Sequence, residues 1–104
     1  MTADEIEDLI RKEIGDLWNI SNAHGVDLKK CLVKPEKHTF TDSLTQHTQL
    51  ELWLVLEELP DTRGGYQIVF DERTQMFGLA TTDVKTGRIY LGPYGSFLET
   101  LEGM

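Results

Sequence analysis

The sequence predicts an α+β fold in which an N-terminal amphipathic helix packs on a four- to five-stranded antiparallel meander, followed by a short C-terminal helix. Three observations predict it. Apolar residues recur at helical spacing from Ile6 to Trp18, they alternate at strand spacing from Gln49 to Glu58, and turn-forming clusters then separate the remaining apolar runs.

The first element is the helix. Ile6, Leu9, Ile10, Ile14, Leu17 and Trp18 lie three and four residues apart, one stripe of a 3.6-residue period. Thr2 and Glu5 can form a capping box, and Asp4, Glu5, Glu7 and Asp8 suit the positive end of a helix dipole. Gly25 is the expected stop, and Gly15, inside the pattern, costs about 1 kcal/mol relative to alanine.

Residues 26–49 are the least patterned. Leu28 to Val33 reads as a strand ended by Pro35, His38 to Thr41 as a second short strand, and Asp42 to Gln49 as a polar loop. From Gln49 to Glu58, Leu50, Leu52, Leu54 and Leu56 share one face, while Glu51, Trp53, Val55 and Glu57 share the other. The first helix is expected to cover the leucine face. Pro60 to Gly65 is turn chemistry, Tyr66 to Asp71 the next strand, Glu72 to Gln75 a turn, and Met76 to Thr82 the returning strand. Asp83 to Gly87 reads as a hairpin loop and Arg88 to Leu91 as a fourth strand. Gly92 to Gly95 is expected to break that strand. Ser96 with Glu99 then caps a short helix whose apolar face is Phe97, Leu98 and Leu101.

Composition bounds the function. A chain of 104 residues predicts one domain spanning 1–104, with a core large enough to fold without disulfide or metal. Cys31 is the only cysteine, the first eight residues are acidic rather than basic, and the longest strongly apolar run, Leu52 to Leu56, is too short to cross a bilayer. These features predict a cytoplasmic protein. A net charge of −8 argues against nucleic acid and anionic membrane as partners. The charge is uneven: residues 1–25 and 50–75 each carry −4, whereas 26–49 carries +1 through Lys29, Lys30, Lys34 and Lys37.

Few residues point to chemistry. His24, Cys31, His38 and His47 are separated by seven, seven and nine residues, which matches no zinc spacing, so no metal or other cofactor is predicted. Cys31 has Lys29, Lys30 and His38 nearby in sequence, but nothing marks a base or an orienting third group, so no catalytic residue is assigned. Glu57-Glu58 and Asp71-Glu72 pair carboxylates at strand ends, where neighbours point to opposite faces. Gly64-Gly65 and Gly92 to Gly95 match no phosphate-loop pattern.

The remaining signal is the second face of the sheet. Trp53 and Val55, with Tyr90, Val69, Met76 and Ala80 as neighbours if register allows, would form an apolar patch rimmed by Glu51 and Glu57. Trp53, Val55, Glu51, Glu57 and Tyr90 are therefore the candidate interface residues. The leading expectation is a non-enzymatic, small acidic protein that binds another protein, basic in charge, or pairs with itself as a homodimer; size and charge alone suggest an inhibitor- or immunity-like class. The alternative is a small enzyme or ligand-binding domain using strand-end carboxylates and the 34–49 loop.

Overall fold

The computed structural model describes residues 1–59, 64–83, 85 and 87–104. Thr2 caps helix α1 (Ala3–Ile14) in the expected box: its hydroxyl accepts from the Glu5 amide at 3.2 Å, and the Glu5 carboxylate accepts from the Thr2 amide at 2.8 Å. Ile6, Ile10 and Ile14 are buried. The helix ends at Gly15, not near Gly25. Gly15 takes φ +54° and its amide closes on Arg11 O at 2.9 Å, a backbone that residues with a Cβ avoid. The stripe therefore loses its last turn, and Leu17 is 51% exposed while Trp18 is half-buried.

Of the expected strand over 28–33, only Leu32 and Val33 are extended; residues 28–31 form one helical turn, α2 (Leu28–Cys31), because the Asp27 carboxylate caps it by accepting from Lys29 N at 3.0 Å. Strand β1 (Leu32–Asp42) follows and runs through Pro35. The register shifts between Leu32 and Glu36, so the proline occupies an irregularity where no ladder donor is required. The polar segment 43–48 is a loop, tied by the Asp42 amide to Thr48 O at 2.9 Å.

Strands β2 (Gln49–Leu59), β3 (Gly64–Asp71), β4 (Met76–Asp83) and β5 (Gly87–Gly95) complete an antiparallel meander. The predicted turn at Pro60 to Gly65 lies outside the described residues except for Gly64 and Gly65, which begin β3; Val84 and Thr86 of the Asp83 to Gly87 loop lie outside them too. Gly92 to Gly95 does not break β5. Gly92 (φ +141°) and Gly95 (φ +116°) absorb the register irregularities, and the strand continues. Helix α3 (Phe97–Gly103) starts at the predicted Ser96–Glu99 capping box.

The sheet does not stay open. A short parallel pairing, Thr41 with Ile89 and Asp42 with Tyr90, joins β1 to β5 and closes a five-stranded barrel. Closure creates two cores. The inner one contains Phe40, Leu52, Leu54, Val69, Ala80 and Tyr90, with Val33 and Leu50 packed against it. The outer one joins Ile6, Ile10 and Ile14 of α1 and Phe97 and Leu101 of α3 to Val55, Leu56, Ile68, Phe70, Phe77 and Leu79. The expectation that α1 covers the leucine face is thus corrected. Leu50, Leu52 and Leu54 point into the barrel, which covers itself, and the helices pack on the opposite face. A bulge between Leu54 and Leu56 then reverses the alternation and moves Leu56 to the outer core. Among the described residues, no helix is long and apolar enough to cross a membrane.

Candidate functional site

Residues paired across neighbouring strands share a face, so the register identifies what lines the barrel beyond its apolar core. Glu36 pairs with Leu54 and His38 with Leu52, which turns both inward on β1. Gln67 pairs with Ala80 on one side and with Glu57 on the other, so β2 and β3 each direct a polar side chain inward. On β4 and β5, Thr82 pairs with Arg88, two residues from inward Ala80 and Tyr90. All five strands thus change from apolar to polar on the inner face toward one end.

That end opens into a hollow of about 230 Å³, lined by Val33, Lys34, Glu36, His38, Leu54, Glu57 and Arg88. Its charges are not mutually satisfied. Arg88 and Glu57 are half-buried, and among the described residues neither has an ion-pair partner within 4.0 Å or a side-chain hydrogen bond. His38 Nε2 lies 3.5 Å from Glu36 Oε1. Lys34 is committed elsewhere, to Asp4 and, at 3.2 Å, to Glu7 of α1; those two carboxylates hold its ammonium above the ordinary lysine range.

Gln67 is the sharpest feature. Its side chain is 1% exposed, Nε2 donates to Thr82 Oγ1 at 3.0 Å, and among the described residues Oε1 has no hydrogen-bond partner. Exchanging the amide oxygen and nitrogen would let the Thr82 hydroxyl donate, but the other end would then be left unpaired. A buried polar atom without a partner costs roughly 1–3 kcal/mol, and none of the described residues supplies one to this oxygen.

The interface residues predicted from sequence are divided by this arrangement. Trp53 and Val55 face the outer core, where Val55 is fully buried and Trp53 half-buried; Tyr90 lies in the inner core; Glu51 is exposed; and Glu57 is turned into the barrel end. Lys37 Nζ sits 5.1 Å above the Trp53 ring and donates to Glu72 at 2.8 Å. Lys37 and then the terminal ammonium pull the Glu72 carboxyl down to about 2. Burial, reinforced by Asp71 and Asp42, pushes the Tyr90 phenol up to about 12.

A second constellation lies in a groove of about 590 Å³ beside α2. There His24 Nδ1 bonds the Glu58 carboxylate, whose other oxygen accepts from Tyr66 N at 3.0 Å, while Cys31 Sγ donates to Glu58 O at 3.6 Å. The buried thiol spends its proton on a backbone carbonyl, the arrangement of a structural cysteine. Among the described residues, no group of three or more His, Cys, Asp or Glu side chains is placed to hold a metal ion.

Sequence reasoning missed Arg88, Gln67 and His38 as one site. The signal was present: Arg88, Gln67, Thr82 and His38 each stand two positions from an inward apolar residue, namely Tyr90, Val69, Ala80 and Phe40. It is legible only once the barrel is known to close. No family model, curated protein or solved structure matches this chain.

Proposed function

We propose that this chain is a small-molecule-binding barrel whose site is the polar open end. One observation carries the reading: five strands turn polar on their inner face at the same end, and there a half-buried cation, Arg88, and a half-buried anion, Glu57, line one hollow without a partner among the described residues. Barrel mouths with an apolar floor and a few convergent polar groups are recurrent ligand sites. The volume, below the roughly 300–1,000 Å³ of drug-sized pockets, favours a small ligand. The test is an amide chemical-shift screen of small polar metabolites. Saturable shifts confined to residues around Glu36, Glu57, Gln67 and Arg88 support the reading, and a screen in which no compound moves them sinks it.

A second reading, the acidic partner of a basic protein, is supported by the net charge of −8 and by exposed Glu51 on the same strand face as half-buried Trp53. It requires salt-sensitive capture of one basic protein that Glu51→Lys and Trp53→Glu both lose while still folded. Capture that these changes leave intact would refute it.

A further inference from the structure

Resting on the small-ligand reading, we infer that the barrel mouth takes a small zwitterion, a free α-amino acid with a short aliphatic side chain. The charge pattern selects the class. Arg88 and Glu57 line one hollow of about 230 Å³ yet stand beyond ion-pair distance of each other, with Glu36 at the rim. A simple anion on Arg88 would lie in a hollow that also holds two carboxylates, and a simple cation between Glu36 and Glu57 would share it with a guanidinium. Like charges brought together in a partly desolvated site are penalised. A molecule with a carboxylate and an ammonium one carbon apart presents each group to its opposite. The guanidinium fork suits a carboxylate bound through both oxygens.

Gln67 fits the same occupant. An ammonium has three donors, and the unpartnered Gln67 Oε1, at the position paired with Glu57 but outside the residues that line the hollow, is a further acceptor on the inner face. If the amide is turned the other way, its free N–H donates to the ligand carboxylate instead. The apolar part of the lining, Val33 and Leu54, offers a short hydrocarbon side chain an apolar wall.

The experiment is calorimetric and amide-shift titration of the intact chain with L-alanine and L-valine. Parallel titrations use propionate and isovalerate, which lack the ammonium, and ethylamine and isobutylamine, which lack the carboxylate. The amino acids should bind saturably, and the single-charge analogues at least about tenfold more weakly, the cost of losing one charge-assisted contact. Arg88→Gln and Glu57→Gln should each weaken amino-acid binding by a similar factor, with circular dichroism confirming the fold. Lys30→Gln, at an exposed position of α2 away from the hollow, should change nothing. Equal binding of propionate or ethylamine, or amino-acid binding indifferent to both mouth variants, overturns the zwitterion. So does an absence of amino-acid binding at millimolar concentration. If other metabolites still move the mouth amides in that case, the site stands without this ligand; if none does, both readings fall.

Discussion

Tyr90 shows how one side chain reports the interior it occupies. It is buried among Phe40, Leu52 and Val69, and a Cβ added to Gly78 would meet its hydroxyl at 2.7 Å and Gly92 O at 2.4 Å, so glycine at 78 is what admits the ring. With the phenol raised to about 12, the folded state resists an ionisation that the unfolded chain undergoes near pH 10. The sign follows: the stability contribution is complete below about pH 10 and is lost as pH rises toward about 12. Denaturant midpoints across that window should fall, and Tyr90→Phe should flatten the fall; an unchanged slope in the variant would assign the alkaline loss to other groups. At the other extreme, Leu17 belongs to the predicted apolar stripe but is exposed, whereas Phe70 is fully buried in the outer core. Leu17→Ala should cost less than about 0.5 kcal/mol and Phe70→Ala about 3–5 kcal/mol by denaturant titration.

Elements begin where their caps say and end where the backbone allows. Both capping boxes, Thr2–Glu5 and Ser96–Glu99, form as their spacing predicts, because a cap is a contact between residues three apart and needs no tertiary help. Helix ends were less legible, since a glycine within a helical pattern reads equally as an interior defect or as a stop. Gly15 distinguishes the two. Were it interior, Gly15→Ala would stabilise by about 1 kcal/mol; at φ +54° and ψ −116° the substitution should instead destabilise by about 1–3 kcal/mol. A thermal melt gives the sign. Pro35 and Gly92 to Gly95 likewise read as strand breakers, yet both lie within strands, at or beside register shifts. Bulges are pairing events, so no local pattern announces them.

For the whole molecule, the consequential event is the joining of β1 to β5. The seam is short, with Thr41–Ile89 and Asp42–Tyr90 as its paired residues, whereas the antiparallel ladders β2–β3 and β3–β4 run along most of their strands. Stability should therefore be uneven around the barrel. Native-state hydrogen exchange should find the Thr41 and Ile89 amides opening with lower free energy than those of Val69 and Leu79, and equal protection would mean that the barrel opens only globally. The seam also bounds the candidate site, because Arg88 on β5 and His38 and Glu36 on β1 approach one hollow only across it.

The amino-acid sequence by itself determined the α+β class, the two caps, the flanking helices, the meander from β2 to β5 and the polar loop at 43–48, because periodicity, capping and turn chemistry act over a few residues; α2 and the unbroken β1 were not legible. Which face of β2 is covered by helices was decided only by tertiary structure. An alternating strand specifies two faces without saying which meets a helix, and a sheet that curls on itself buries one face without any helix. The same closure brought Arg88, Gln67, Glu57 and His38 to one end of the barrel, from positions separated by up to fifty residues of chain. It also parted Trp53 from Tyr90, which lie on opposite sides of the barrel wall.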